Sequence, residues 1–146
     1  MKEIAGVIYP VPVEMVDRLF KGKTVYVKYG AHRTTKLAPK HKVIFYASHG
    51  SKKLVGEGKI KSVEFLTPLK VLEKYRDELF LTETELYAYV GGRSQMEMLT
   101  LVLTNLKKYS TPFEFNKPIT MAGQYLTIQE YSSFIHKRSS EKNADP

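Results

Sequence analysis

The sequence predicts a protein of the α+β class, a small mixed β-barrel that is decorated by short helices. Its 146 residues favour a single domain and are enough to bury a core. Roughly five or six separate strand candidates are grouped on either side of helical stretches. The longest candidate, residues 54–66, carries Gly56 and Gly58, which indicate a bulge or bend of the kind that curves a sheet.

The first predicted element is a short helix over residues 12–21, with apolar side chains on one stripe and Gly22 as its C-terminal stop. Residues 24–29 alternate in polarity, so they predict a strand with one buried side and one solvent-facing side. Tyr26 and Lys28 fall on the side that we expect to face solvent.

Two more strands are predicted around a polar turn. Residues 43–48 are mostly apolar, which indicates a short strand buried on both faces. Residues 49–53 predict a turn, and residues 54–66 form the bent strand. No strand is predicted before residue 12. The N-terminal run MKEIAGVIYP lacks the apolar core of a signal peptide, so we expect a cytoplasmic protein.

Two helices are predicted in the middle of the chain. Thr67 can cap the first of them, and Pro68 suits its first helical position. Thr82 and Glu85 have the spacing of a capping box at the start of the second. That helix is expected to stop at Gly91, the first of two consecutive glycines.

Strands are predicted again in the last third of the chain. Residues 96–106 indicate a long strand, and residues 113–115 and 124–128 are the last strand candidates. The polar tail from residue 136 to 146 is expected to be disordered. We therefore predict one folded domain over residues 1–135.

Composition argues against several kinds of site. The chain has no Cys, which excludes disulfides and thiolate chemistry. Its apolar runs are too short to span a bilayer. The four histidines lack metal-ligand spacing, and neither a GxGxxG nor a Walker pattern occurs. We expect no metal, no cofactor and no membrane association.

The positive charge of the chain is concentrated in one segment. The formal net charge is +8, yet residues 21–61 alone contain eleven Lys or Arg and one acid, Glu57. The remainder of the chain carries a small excess of acids. Segregated charge of this kind indicates a surface that faces a polyanion, and RNA is the partner that we predict. A merely solvated basic face and a site for an acidic protein are the alternatives.

Aromatic and polar side chains are interleaved with these charges. Cations bind phosphates and flat rings stack unpaired bases, so the combination predicts an RNA-binding rim formed by the first strands and their loops. The alternative for each tyrosine is packing in the core with a wet hydroxyl. The predicted RNA-binding residues are Tyr26, Lys28, His32, Arg33, Thr34, Lys36, Lys40, Tyr46, Ser48, His49, Lys52 and Lys53.

Several stretches resemble proteins of the PUA-like superfamily, which holds PUA, ASCH and EVE domains. They are the run FKGKTVYVKY after a short helix, VIFYAS, and the bent strand VGEGKIKSVEFL. YASHGSKKLVGEGKI and KPITMAGQYLT are similar to an uncharacterised archaeal family within it. The resemblance covers residues 5–130. It implies a PUA-type pseudo-barrel that binds RNA, such as tRNA or rRNA, or a modified base in a cleft beside the first strands, with a role in RNA modification or translation.

The resemblance also implies an enzymatic alternative. In the ASCH pattern G-x-K-x-x-E-x-R, Lys23 matches the Lys, whereas Tyr26 and Lys28 stand where the Glu and Arg would be. Some ASCH-like proteins are amidohydrolases of acetylated cytidine that use Lys, Thr and Glu. By this likeness, Lys23 would be the base or nucleophile and Glu57 the proton carrier, with Thr24 beside them. This alternative requires Lys23 and Glu57 to meet in one enclosed pocket.

Overall fold

A computed structural model of the chain describes residues 3–29, 35–48, 52–93, 95–115 and 119–134. The strands are β1 Ile4–Val11, β2 Val25–Lys28, β3 Lys42–Ala47, β4 Leu54–Leu66, β5 Met98–Phe113 and β6 Gln124–Thr127. The helices are α1 Val13–Phe20, α2 Pro68–Tyr75, α3 Glu83–Val90 and α4, which covers residues 128–134.

The strands form one mixed, six-stranded sheet in the order β2-β5-β4-β3-β1-β6. β1 runs parallel to β3, and the other neighbouring pairs are antiparallel. The α+β class is therefore confirmed, but the closed barrel is not. Within the described residues, β2 and β6 are the two edges of an open sheet. The sheet stays open because the outer edge of β2 pairs with the short segment 78–80 instead of a further strand.

β1 is a strand that the sequence did not predict, and it lies inside the sheet between β3 and β6. Its residues do not alternate in polarity because both of its faces are buried. Val7 and Tyr9 face one core and Ile8 faces the other. Gly6 is needed for close packing of the two parallel strands, since a Cβ at this position would lie 1.9 Å from the carbonyl oxygen of Lys42.

The three predicted helices are confirmed; α1 and α3 lie close to their expected bounds, whereas α2 ends at Tyr75, five residues before the end of its apolar periodicity at Phe80. Both hydrogen bonds of the capping box are present at α3: Glu85 N donates to Thr82 Oγ1 at 3.2 Å, and Thr82 N donates to Glu85 Oε1 at 2.8 Å. β4 has its predicted bounds, with register shifts around its glycines. The separate strand predicted at residues 113–115 was wrong, because β5 continues through bulges as far as Phe113.

Apolar side chains form two cores, one on each face of the sheet. The larger core packs the sheet against α1, α2 and α3. The smaller core packs Tyr131 and Phe134 of α4 against side chains such as Ile44 and Phe113. No helix in the described ranges is long and apolar enough to cross a membrane. The predicted tail, residues 136–146, lies outside the described residues.

Candidate functional site

A cavity of about 490 Å³ lies beside β2, where the sheet is not closed. Its walls come from the end of β1 and the start of α1, from β2, from residues 80–81, from α3, and from Met121 before β6. The lining is mostly apolar and aromatic, with a few polar groups. Volumes of about 300–1,000 Å³ are usual for small-ligand sites. The volume and lining of this cavity are therefore those of a small-ligand site.

The cavity exists because the chain leaves the edge of β2 partway along that strand. Val25 N donates to Glu78 O at 2.9 Å, and Phe80 N donates to Val25 O at 3.0 Å. After Phe80 the chain turns away into α3. Further along, Tyr89 of α3 returns to this edge and accepts a hydrogen bond from Tyr29 N at 2.7 Å. Val27, which lies between these two contacts, lines the cavity, and we call this part of the cavity its inner end.

Lys28, at the end of β2, extends across the opening of the sheet toward the segment before β6. Its ammonium donates to the carbonyl oxygen of Met121 and lies 5.0 Å from the ring centroid of Tyr9. Burial lowers the pKa of the Lys28 ammonium because the charged form loses hydration. The cavity wall thus contains a partly desolvated cation held by a carbonyl and an aromatic face.

Tyr89 lines the cavity, and three further tyrosines lie beside its lining, through Tyr26, Tyr89 or Tyr9; we call these four tyrosines and the cations over three of them the tyrosine rim. Lys36 Nζ lies 5.6 Å from the ring centroid of one of them, and Arg93 Cζ lies 4.4 Å from that of another. Burial of the Tyr89 phenol raises its pKa. The tyrosines of the rim are Tyr9, Tyr29, Tyr89 and Tyr125.

Glu85 places a carboxylate in the cavity wall, but that carboxylate is already engaged. Its two oxygens accept hydrogen bonds from Arg18 Nη1 and Nη2 at 2.6 and 3.1 Å. These contacts and the backbone N–H of Thr82 hold the pKa of Glu85 at about 2. The ion pair joins α1 to α3. Because Arg18 balances the charge of Glu85, this carboxylate neutralises little of the positive charge of Lys28.

Tyr26 does not lie on a solvent-facing side of β2, and that expectation was wrong. It is 3% exposed, with its ring stacked 5.5 Å from Tyr9 and 5.0 Å from Phe80. The alternating polarity of β2 predicted a solvent-facing side with Tyr26 and Lys28. In the fold, α3 and β1 cover that side. A ligand could reach Tyr26 only from inside the cavity, which it helps to line.

The structure does not bring Tyr26 and Tyr46 to the same face of the sheet. Tyr46 packs against the smaller core, on the face of the sheet opposite to Tyr26. Lys40 precedes β3, whereas Ser48, Lys52 and Lys53 follow it. At about 3.3 Å per residue, β3 spans roughly 16 Å from Lys42 to Ala47, so these two groups lie at its opposite ends.

Some predicted residues lie outside the described ranges, and others take part in backbone hydrogen bonds. His32, Arg33, Thr34 and His49 lie outside the described residues. Near the end of β3, Ser48 N donates to the carbonyl oxygen of Val11 at 3.2 Å, and Lys52 N donates to Ala47 O at 3.0 Å. Lys36 is the member of the predicted loop that reaches the tyrosine rim.

The structure does not bring Lys23 and Glu57 together. Lys23 is exposed and donates to Asp77 O at 2.7 Å. Glu57 is 4% exposed and accepts hydrogen bonds from Tyr109 and Tyr131 at 2.9 Å each, beneath α4. Neither side chain lines the cavity. Thr24, the third candidate, uses its carbonyl oxygen to accept a hydrogen bond from Leu103 N.

Sequence reasoning missed most of the tyrosine rim. Tyr9, Tyr89 and Tyr125 come from β1, α3 and β6, which are distant in sequence and meet only in the folded chain. Tyr89 had one usable signal, since it stands four residues before Arg93 and two after Tyr87, in a helix of low amphipathicity. That pattern marks an unusual helix but does not indicate what the helix contacts.

Comparisons with known proteins agree with the fold. Residues 4–128 match the model of a domain family of unknown function, DUF365. An uncharacterised protein of Methanocaldococcus jannaschii is 34% identical over 106 residues, which cover 66% of this chain and 98% of that protein.

Among solved structures, ASCH from Zymomonas mobilis has a TM-score of 0.78 at 16% identity, covering 90% of this chain and 94% of that one. A point-substituted form of the same protein gives a TM-score of 0.77 at 18% identity, covering 93% and 98%. This likeness shows that the chain shares the fold of that ASCH domain.

Proposed function

This chain belongs to the DUF365 family of domains of unknown function, and from that premise we propose that it is a PUA-like module that binds RNA. One unpaired or modified base would enter the cavity beside β2, and the neighbouring phosphates would lie over the basic loop that precedes β3. The resemblance to PUA-like proteins favours a tRNA or rRNA and a role in RNA modification or translation.

The observation that carries the proposal is the cavity of about 490 Å³ whose aromatic lining is Tyr26, Phe80 and Tyr89, with the other tyrosines of the rim beside it. Aromatic faces stack unpaired bases with a free energy of roughly 1–3 kcal/mol per base, whatever the base. Two tyrosines of the rim remain accessible for such contacts, Tyr89 at 42% and Tyr125 at 38% exposure. A rim of this kind suits a flat ligand that carries phosphates better than it suits an aliphatic one.

The charge distribution supports the same ligand. Residues 21–61 carry nearly all of the positive excess, and Lys28 and Lys36 of this segment lie at the cavity and its rim. Lys36, together with Arg33 of the same loop, is the phosphate contact that we propose. Each phosphate neutralised would release counterions, so binding would weaken as salt is added.

A titration of labelled tRNA against the protein at several salt concentrations tests the proposal. We expect log Kd to change linearly with log salt, and Lys36→Gln to reduce the slope by roughly 0.7–0.9. Lys70→Gln is the control, because Lys70 is exposed on α2 and does not line the cavity. Absence of binding, or binding that ignores salt, would refute RNA as the ligand.

Stacking is tested by two tyrosines of the same helix. Tyr87 and Tyr89 are 37% and 42% exposed, but only Tyr89 lines the cavity. Tyr89→Ala should weaken binding of single-stranded RNA by roughly 1–3 kcal/mol, while Tyr87→Ala should leave it within about 0.5 kcal/mol. Circular dichroism melts would confirm that both variants fold. Equal effects would place the bound base elsewhere.

A further inference from the structure

We propose that the backbone of Val27 hydrogen-bonds the Watson–Crick edge of the base that enters the cavity. The inference rests on the proposed function and makes it more specific. It assigns to the inner end of the cavity a donor and an acceptor that belong to one residue and therefore have a fixed spacing. The ligand class is a nucleobase that carries a hydrogen-bond donor next to an acceptor.

The direction of the Val27 amide and carbonyl follows from the pairing of β2. Val25 points its N–H and C=O away from β5, toward Glu78 and Phe80. Thr24 points the other way, since its carbonyl oxygen accepts from Leu103 N of β5 at 2.9 Å. Successive residues of a strand alternate, so Val27 presents both groups on the same outer edge as Val25.

That edge is covered on both sides of Val27 but not at Val27. Residues 78–80 cover it at Val25, and the Tyr89 hydroxyl covers it at Tyr29. In the ranges that the structure describes, no protein group bonds to the outward N–H and C=O of Val27, although the residue is only 1% exposed and lines the cavity. Buried backbone groups are nearly always paired, so this position favours a ligand that supplies both bonds.

The length of the free edge decides what kind of ligand fits it. A peptide that added a strand to β2 would need several consecutive edge positions, and here only one lies between two occupied ones. A nucleobase needs one donor and one acceptor, which is how enzymes and readers hold bases taken out of a stack. The ring faces of Tyr26, Phe80 and Tyr89 in the same lining suit a flat ligand.

Methylated RNA tests the edge contact without altering the protein. The probes are labelled hexauridylate and two hexamers in which uridine is replaced by 3-methyluridine or by 5-methyluridine. The 3-methyl group removes the N–H donor of the base edge, whereas the 5-methyl group adds the same bulk elsewhere. We expect at least about tenfold weaker binding for the 3-methyl hexamer and less than about twofold change for the 5-methyl hexamer.

Amide NMR spectra supply a second readout at the residue itself. On addition of hexauridylate, the Val27 amide proton should shift downfield and exchange more slowly with solvent. The Val25 amide is the internal control, because it already donates to Glu78 O. If both methylated hexamers bind like the parent and the Val27 amide does not shift, the edge contact is refuted while RNA binding stands. If no hexamer and no tRNA binds, the proposed function itself fails.

Discussion

Replacing Glu85 with Gln would remove the charge that joins α3 to α1 across the cavity wall. Its paired contact with Arg18 holds the pKa of Glu85 at about 2. Fully expressed, a depression of that size corresponds to roughly 3 kcal/mol. About a third of each side chain remains exposed, so solvent screening reduces the contribution. We expect Glu85→Gln to lower the free energy of unfolding at pH 7 by about 1–1.5 kcal/mol.

The pH dependence of this loss follows from the direction of the pKa. The Glu85 carboxyl has a lower pKa in the folded chain than in the unfolded chain. Its contribution is therefore complete above the unfolded pKa, near 4.3, and is lost as the pH falls toward about 2. Urea denaturation of both proteins at pH 7, 4 and 2.5 should show the difference between them shrinking across this window.

Glu83→Gln is the matched control for Glu85→Gln. Glu83 lies in the first turn of the same helix and pairs with Arg76 at 3.0 Å, but both of those side chains are more than half exposed. We expect this control to cost less than about 0.5 kcal/mol. Equal costs for the two substitutions, or a cost for Glu85→Gln that is undiminished at pH 2.5, would show that the Arg18 contact does not carry the stabilisation.

Two further substitutions test the packing that holds the site. Gly56→Ala should lower the free energy of unfolding by at least about 2 kcal/mol, because the new Cβ would lie 2.2 Å from the ring of Phe20. Gly92→Ala, with nothing within 4 Å of the new atom, should change it little; equal urea midpoints for the two variants would contradict the crowding. Tyr131→Phe should cost about 1 kcal/mol, since Glu57 loses a hydrogen bond of 2.9 Å in a buried site. An unchanged urea midpoint would show that the hydroxyl is dispensable.

Local chemistry made parts of the fold predictable from sequence. The bounds of β4 followed from an apolar run with paired glycines, and the start of α3 followed from the Thr82–Glu85 capping box. Both signals lie within a few residues of the feature that they specify. β1 is buried on both faces like β3, but Gly6 and Pro10 interrupt its apolar run and weaken the strand signal.

The site was harder to predict than the fold because it depends on contacts between distant elements. Tyr26 and Lys28 were predicted to share a solvent-facing side, yet burial of that side turns one into a core ring and the other into a desolvated cation. Tyr9 and Tyr125 gave no sequence signal at all. Lys36 was predicted for its charge, but only the fold shows the ring that it lies over.

The position of β1 has a consequence for synthesis of the chain on the ribosome. Of the described strands, β1 is made first and its neighbour β6 is made last, with Ile4 opposite Thr127. That edge of β1 stays unpaired while more than a hundred residues are translated. Unpaired edges attract other chains, so this edge of the nascent domain is open to such pairing until β6 emerges. Translation of the last strand is then the step that protects the first.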